Sequence, residues 1–470
     1  MTQPPRGQFG PNERVLVIGL GRSGRASVDV LRPRVQSVLA TDDAPREQLT
    51  DALAELNAAG VPFVEPTALT DALPSVTVAV LSPGIPLNAP LVRRVAAANV
   101  PVFSEVEVAY RLCRAPIIAV TGTKGKTTTT ALVGALFRAA GKTVHVGGNI
   151  GNALIRETVN AGPDDWVVAE VSSFQLESIR SFKPRVSLIL NLSPDHLDRY
   201  HSMEEYAEAK FRICANQSVG DTFVGNLDDP LVAAAPGEEG NRIKGRALWF
   251  ASEPHRQTTL YLRRGETIVY APWSGDPRPI DVMRVAETPL LGRHNVENVM
   301  GAILVGLAAG LELDAIREGV RTFHALPHRL EPVDEIEGVR YVDDSKATNP
   351  GAVIAAMRSF DRPIVLIAGG KAKGTDFAEM GKVVSSRAKA VVLIGEAAEE
   401  IAAVVRRAKV EHAQSMREAV RRAADLAEPG DVVLLSPGCA SFDMFASAEH
   451  RGEEFTEAVR TLAAPFAGAR

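Results

Sequence analysis

Short apolar runs alternate with alanine-rich helical stretches along almost the whole chain, and no other feature restricts the fold as much. An apolar run, a helical stretch and a second apolar run make a βαβ unit, and repeated units build a largely parallel sheet with helices on its faces. Such runs fall at residues 14–18, 37–41 and 77–81, at 116–120, 166–171 and 186–190, and at 340–342, 364–368, 391–394 and 432–435. Between 248 and 270 the pattern changes to shorter alternating segments with turn residues, which predicts an antiparallel addition. A helical stretch at 295–311 leads to a linker at 322–326. A chain of 470 residues exceeds one compact core, so about two to four domains are expected. The predicted fold class is α/β.

Composition closes off several alternatives. Hydrophobic residues make up 46% and charged residues 23%, which suits a soluble globular chain and argues against disorder. A formal net charge of -5 gives no electrostatic ground for a nucleic-acid partner or an anionic membrane. Cys113, Cys214 and Cys439 are far apart and form no CxxC pair, so they read as reduced packing residues of a cytosolic protein. The opening segment is polar and lacks a signal-peptide core. The longest apolar stretch, near 302–311, is broken by Gly306 and Gly310 and is too short to span a bilayer. A cytoplasmic location is the expectation.

Two glycine loops follow strands. In Gly19-Leu20-Gly21-Arg22-Ser23-Gly24 the glycines allow a tight turn and close approach of a phosphate to the next helix, and Asp42 ends the second run where an acid can meet a ribose. This pattern alone leaves a nicotinamide or flavin, another nucleotide and a structural turn all open. The second loop is Thr121-Gly122-Thr123-Lys124-Gly125-Lys126-Thr127-Thr128, before a helix at 129–140. Its amides can cradle phosphates, Lys126 can reach the terminal phosphate, and the hydroxyl of Thr127 can meet Mg²⁺. Val120 stands where the usual motif has glycine, so this is a shortened variant.

Further polar residues cluster at the ends of apolar runs. Glu170 ends the apolar stretch 166–169 and is placed to hold Mg²⁺ directly or through water. Asn191-Leu192-Ser193-Pro194-Asp195-His196-Leu197-Asp198-Arg199-Tyr200 follows the next run, at the sheet edge where open α/β sheets bind ligands. Ser202 and Glu205 predict a capping box for a helix that carries Lys210. An ammonium repels Mg²⁺, so Lys210 by itself reads as a phosphate contact or a surface lysine. In the third block, Asn349-Pro350 reads as a helix cap, which leaves Lys346 and Thr348 on the preceding loop. Gly369-Gly370-Lys371-Ala372-Lys373-Gly374 and Ser436-Pro437-Gly438-Cys439-Ala440-Ser441-Phe442 each follow an apolar run. Cationic side chains on these loops favour an anion-binding face over plain turns.

These motifs together resemble the Mur ligase family, and most closely its D-glutamate-adding branch. GTKGKTT, GGNIGNAL, EVSSFQLE, NLSPDHLDRY, EAKFR, GRHNVEN, LPHRLE, DDSKATNPGA and LLSPGCASFD stand in the family's order, and the resemblance covers nearly the whole chain. It implies three domains: a Rossmann-like UDP-substrate domain (1–108), a central ATPase domain on a P-loop-type parallel sheet (109–325) and a C-terminal Rossmann-like domain that closes over the amino acid (326–470). The first glycine loop then holds UDP through Gly19, Gly21, Arg22, Ser23 and Gly24, with Asp42, Ser82 and Gly84 nearby. Asn149 faces the substrate or phosphate, and no dinucleotide is needed. Gly122, Thr123, Lys124, Gly125, Lys126, Thr127 and Thr128 hold ATP, with Asn298, Arg329 and Asp344. Two Mg²⁺ ions fall to Thr127, Glu170, His196 and Lys210, the last as a CO₂-derived carbamate whose anionic oxygens suit the metal. Lys346, Thr348, Lys373 and Ser441 surround D-glutamate. The chain departs from the family at Ala448, a position often aromatic beside that pocket.

The implied reaction is ATP-dependent amide formation in peptidoglycan precursor synthesis, by a protein expected to be a monomer. Within the class, a ligase for another amino acid or a folylpolyglutamate synthetase is the alternative, and no Asp-Asn-Pro-Arg stretch of the diaminopimelate-adding type is present. An oxidoreductase would leave GTKGKTT unexplained. A noncatalytic nucleotide switch would leave the cationic loops of the third block without a role.

Overall fold

The computed structural model describes residues 9–196, 199–235, 242–272, 278–324, 327–372 and 374–463. Strands β1 (Arg14–Ile18), β2 (Ser37–Thr41), β3 (Val78–Leu81) and β4 (Val102–Ser104) form a parallel sheet in the order β2-β1-β3-β4. The second sheet comprises β5 (Ile117–Thr121), β6 (Val144–Gly148), β7 (Trp166–Glu170), β8 (Val186–Ile189), β9 (Thr222–Asn226), β10 (Arg246–Ala251), β11 (Leu260–Arg263), β12 (Thr267–Tyr270) and β13 (Ile280–Arg284). Its order is β13-β12-β11-β10-β9-β8-β5-β7-β6. The third comprises β14 (Glu331–Ile336), β15 (Val339–Asp343), β16 (Ile364–Gly369), β17 (Ala388–Ile394), β18 (Lys409–His412) and β19 (Val432–Leu435), ordered β14-β15-β19-β16-β17-β18 with β14 antiparallel.

The apolar runs become strands because helices cover both sides. In the third sheet Val342, Leu366, Leu434 and Leu393 face one buried cluster, while Tyr341, Val365, Ile367 and Val433 face another. That two-sided burial is why these strands read as continuous apolar runs rather than alternations.

The expected antiparallel addition begins later than the sequence suggests. Strand β10 pairs in parallel with both β9 and β11, and only β11–β12 and β12–β13 are antiparallel. The expected helix at 295–311 runs Arg293–Ala308, and Leu313–Arg321 forms another. Residues 325 and 326 of the expected linker lie outside the described residues.

Although there are three sheets, the chain divides into two compact units: Met1–Glu287 with Glu297–Phe323, and Thr288–Val296 with His324–Arg470. The first two sheets share a unit because one buried cluster runs through both. It includes Val15 and Val17 of β1, Val106 and Ala109 of helix Glu105–Leu112, Leu154 and Ile155 of helix Leu154–Asn160, and Ile117 of β5. All three cysteines are buried free thiols, as read from the sequence. No helix among the described residues is long and apolar enough to cross a membrane.

Candidate active site

Strand β5 lies between β8 and β7, so the chain order reverses there and the loops leaving β5, β7 and β8 share one edge. The loop after β5 is the expected phosphate loop. Gly125 has φ 81° and precedes helix Lys126–Ala139. A Cβ there would approach Asn298 Oδ1 to 2.1 Å, so Asn298, buried on its own helix, packs directly on the loop. Asn191 fastens the other side. Its backbone carbonyl accepts from Thr123 N at 2.9 Å, its Oδ1 accepts from Lys124 N at 2.8 Å, and its Nδ2 donates to Lys124 O at 3.1 Å. Thr123 Oγ1 accepts from Ser193 N at 3.0 Å and lies 3.2 Å from the Tyr206 hydroxyl.

Two lysines converge on this loop. Lys126 Nζ donates to Thr123 O at 2.7 Å, and Lys210 Nζ donates to Gly122 O at 2.8 Å. Lys210 is 2% exposed on helix Met203–Phe211. Burial lowers its pKa to about 7, the Lys126 charge pushes in the same direction, and Asp195 and Glu170 oppose. The helix is capped by Ser202, which accepts from Glu205 N at 3.2 Å. The expected reciprocal bond goes elsewhere: Glu205 Oε2 accepts from His201 N, so the box is half formed. A complete capping box exists at Ser172 and Gln175, which the sequence reading missed.

Glu170 is 1% exposed at the end of β7. Its Oε1 accepts from Asn149 Nδ2 at 2.8 Å, while Oε2 is buried and has no hydrogen-bond partner. An unpartnered carboxylate oxygen is costly to bury, and a bound cation is one partner that would satisfy it. A cavity of about 370 Å³ opens here, lined among others by Lys126, Asn149, Asp195, His196, Tyr206 and Lys210. Pro83 and Gly84 also line it, which brings the Ser82–Gly84 loop to the phosphate edge. His196 has φ 53° and its ring lies tilted against Phe174, centroids 4.7 Å apart, with Nε2 3.6 Å from Asp195 Oδ2.

At the first glycine loop, Asp42 occupies backbone amides. Oδ2 accepts from Leu20 N at 2.6 Å and Oδ1 from Ala44 N at 2.9 Å. Gly24 is indispensable to the turn, because a Cβ would lie 1.7 Å from Gly19 O. The Arg22 guanidinium donates to Gly151 O at 2.8 Å, Asn149 O at 3.0 Å and Gly148 O at 3.3 Å.

The second unit gathers the loops that leave β15, β16 and β19. Asn349 caps helix Pro350–Met357 by accepting from Ala352 N at 3.0 Å, as its sequence predicts. Asp344 accepts from Ser436 Oγ at 2.9 Å, and burial next to Asp343 raises its pKa to about 7, with Arg329 opposing. His328 Nδ1 lies 2.7 Å from Asp343 Oδ2. Arg451, fully buried, ties two loops together: Nη2 donates to Ser345 O at 2.8 Å, Nε to Ser345 Oγ at 3.0 Å and Nη1 to Cys439 O at 3.1 Å. Ser441 is buried and Thr348 exposed. Lys346 is ion-paired with Glu449, whose pKa that lysine lowers to about 2. Arg451 and Glu449 were missed by the sequence reading, because only the folded chain brings their helix to these loops. Lys373 lies outside the described residues.

Three family models match in chain order: "Mur ligase MurD-like, N-terminal domain" over residues 13–104, "Mur ligase middle domain" over 120–306 and "Mur ligase, glutamate ligase domain" over 328–439. The chain is 44% identical over 460 residues to the UDP-N-acetylmuramoylalanine--D-glutamate ligase of Pelotomaculum thermopropionicum, covering 96% of this chain and 98% of that one. The enzyme of the same name from Salinibacter ruber is 42% identical over 458 residues, with the same coverage. Among solved structures, the MurF ligase of Thermotoga maritima in complex with ADP superposes with a TM-score of 0.58 at 15% identity, covering 97% of this chain and 96% of that one. The UDP-N-acetylmuramate-alanine ligase MurC of Thermotoga maritima gives 0.58 at 19% identity, covering 96% and 100%. At those identities the structures speak for the three-domain α/β fold alone. The close relatives, matched almost end to end, carry the assignment further: this chain belongs to the Mur ligase family.

Proposed function

We infer that the chain is an ATP-dependent amide ligase that joins D-glutamate to UDP-N-acetylmuramoyl-L-alanine in peptidoglycan precursor synthesis. The observation that carries the reading is the phosphate loop, fastened by Asn191 and Asn298 and facing a cavity that holds Lys126, Lys210 and His196. Relatives named for this reaction, similar along nearly their whole length, support the choice of substrates.

In the proposed reaction the carboxylate of the UDP-linked substrate attacks the γ-phosphorus of ATP, giving an acyl phosphate and ADP. The amine of D-glutamate then attacks the acyl carbon and inorganic phosphate leaves. The attacking carboxylate and the triphosphate repel each other, so Lys126 screens charge while the loop residues Gly122, Thr123, Lys124 and Gly125, with Thr127 and Thr128, orient the phosphates. Mg²⁺, when bound, neutralises the phosphate oxygens. Thr127, Glu170 and His196 are the residues to hold two such ions, and the unpartnered Glu170 oxygen fits that role. Lys210 joins them as a carbamate formed with CO₂, an assignment that rests on the family resemblance.

Gly19, Gly21, Ser23, Gly24, Asp42, Ser82 and Gly84 serve the UDP moiety, with Arg22 and Asn149 at its border with the phosphate site. Asn298, Arg329 and Asp344 serve the nucleotide. Lys346, Thr348, Lys373 and Ser441 serve D-glutamate, and Lys346 exchanges Glu449 for a substrate carboxylate. The working domains are 1–108, 109–325 and 326–470, in a monomer that acts in the cytoplasm.

Phosphate release by the purified protein, supplied with the UDP substrate, MgATP and one amino acid at a time, tests the reading. D-glutamate is expected to support turnover and L-glutamate to be a poor substrate, since it cannot place both carboxylates and its amine together. Comparable rates with L-glutamate or L-lysine would refute the amino-acid assignment.

A further inference from the structure

The segment 148–155 joins the two halves of the first unit. At its start, Gly148 pairs with Glu170 across β6 and β7, and a Cβ on Gly148 would lie 2.3 Å from Glu170 O. Asn149 then makes two bonds to the same residue, from its backbone N to Glu170 O at 2.9 Å and from Nδ2 to Glu170 Oε1 at 2.8 Å. The position of one glutamate carboxylate therefore depends on the course of this segment.

What holds the segment comes from the first sheet's elements. Arg22, within the first glycine loop, opens helix Arg22–Leu31, and its guanidinium spans the carbonyls of Gly148, Asn149 and Gly151. Farther along, Glu105 Oε1 accepts from Ile155 N at 2.6 Å. A guanidinium is a rigid planar fork, so three carbonyls gathered on it are fixed relative to one another, which a lysine ammonium on a flexible stem does not achieve.

We propose that Arg22 is a positioning residue: by gathering the carbonyls of segment 148–151 it fixes the Asn149 carboxamide on Glu170, so that the substrate-side glycine loop sets the geometry of the phosphate-side carboxylate. The proposal rests on the reading of Glu170 as a metal-holding residue. It concerns the side chain of Arg22; the backbone of the loop still faces the UDP moiety.

The test uses Arg22→Met, which keeps the apolar stem, and Arg22→Lys, which keeps the charge. Two quantities are measured on the full chain: kcat and KM for the UDP substrate, and Mn²⁺ binding in the presence of ATP by calorimetry. Arg22→Met is expected to lower kcat and weaken Mn²⁺ binding, each about tenfold, the size typical of coupling through one contact network. Arg22→Lys recovers part of both. In an Asn149→Ala background, the Arg22→Met change should weaken Mn²⁺ binding no further. Unchanged Mn²⁺ binding, a rise in the KM for the UDP substrate alone, or full additivity with Asn149→Ala would each overturn the proposal. If Arg22→Met does not fold, judged by its circular dichroism, the lysine variant carries the comparison. Absence of D-glutamate-dependent turnover in the unsubstituted protein would refute the ligase reading, while Mn²⁺ binding would still decide the role of Arg22.

Discussion

The glycine loop after β1 and the phosphate loop after β5 each leave a strand of a parallel sheet and enter a helix, yet their amides keep different company. In the first, Asp42 already fills the amides of Leu20 and Ala44 with its own oxygens. A resident carboxylate makes the turn a poor seat for a bare triphosphate and a good one for hydroxyl or N–H groups of a nucleoside. In the second, the amides of Thr123 and Lys124 meet the neutral Asn191, and the lysines Lys126 and Lys210 donate to loop carbonyls. In the proposed function the same strand–turn–helix device serves opposite ends of substrate chemistry, and the side chain that occupies the turn decides which.

Lys126→Ala should break the comparison most severely. Turnover is expected to fall by a factor of about 10³ or more, the loss typical of removing a principal electrostatic contact to a transferring phosphoryl group. Calorimetric affinity for the UDP substrate should stay nearly unchanged, because those contacts belong to the other loop. Substantial residual turnover would mean that the loop after β5 is not the phosphate site.

Asp42→Ala tests the other side. It removes the acceptor of two backbone amides and a contact to the nucleoside, so the KM for the UDP substrate should rise about tenfold or more, the equivalent of one lost hydrogen bond to a charged group. The KM for ATP should hardly move. Equal rises in both would erase the distinction between the loops.

A stability effect of similar size concerns the tie between them. Glu105 is buried, and burial raises its pKa from 4.5 to about 7, against the lowering influence of the Ile155 amide and Arg22. The folded protein holds this proton more tightly than the unfolded chain does. Its contribution to stability is therefore fully present below pH 4.5 and is lost as pH rises through about 7. Glu105→Gln cannot ionise, so relative to the unsubstituted protein it should gain about 1–3 kcal/mol across that window. Thermal melts of both proteins as a function of pH measure the difference, and parallel curves would show that Glu105 is not held protonated.

Much of this was legible in the sequence. Three of the apolar runs, 14–18, 37–41 and 432–435, coincide with β1, β2 and β19, because strands covered on both faces are apolar at most positions. Strand β6 escaped notice because Val144-His145-Val146-Gly147-Gly148 is half polar or glycine, and its place is fixed by pairing with β7. The parallel course of β10 was likewise hidden, since strand direction is set by the neighbour and not by the segment itself. Of the site, Lys126, Asn149, His196 and Lys210 were named from motifs and do line one cavity. What was not legible were the partners. Arg22 reaches Gly151 from 129 residues away, and Lys346 reaches Glu449 across 103, distances over which no local pattern carries information.

Arg451 has a consequence for the order in which a newly made chain becomes competent. The phosphate loop and its packing partner Asn298 are synthesised well before the third sheet is complete. The loops at Ser345 and Cys439 are also made before the guanidinium that ties them together. During synthesis from the N-terminus the nucleotide half can fold first, as domains generally do. The half proposed to hold the amino acid must wait for residue 451. A nascent chain would thus pass through a stage in which the loop after β5 is formed before the loops at Ser345 and Cys439 are secured.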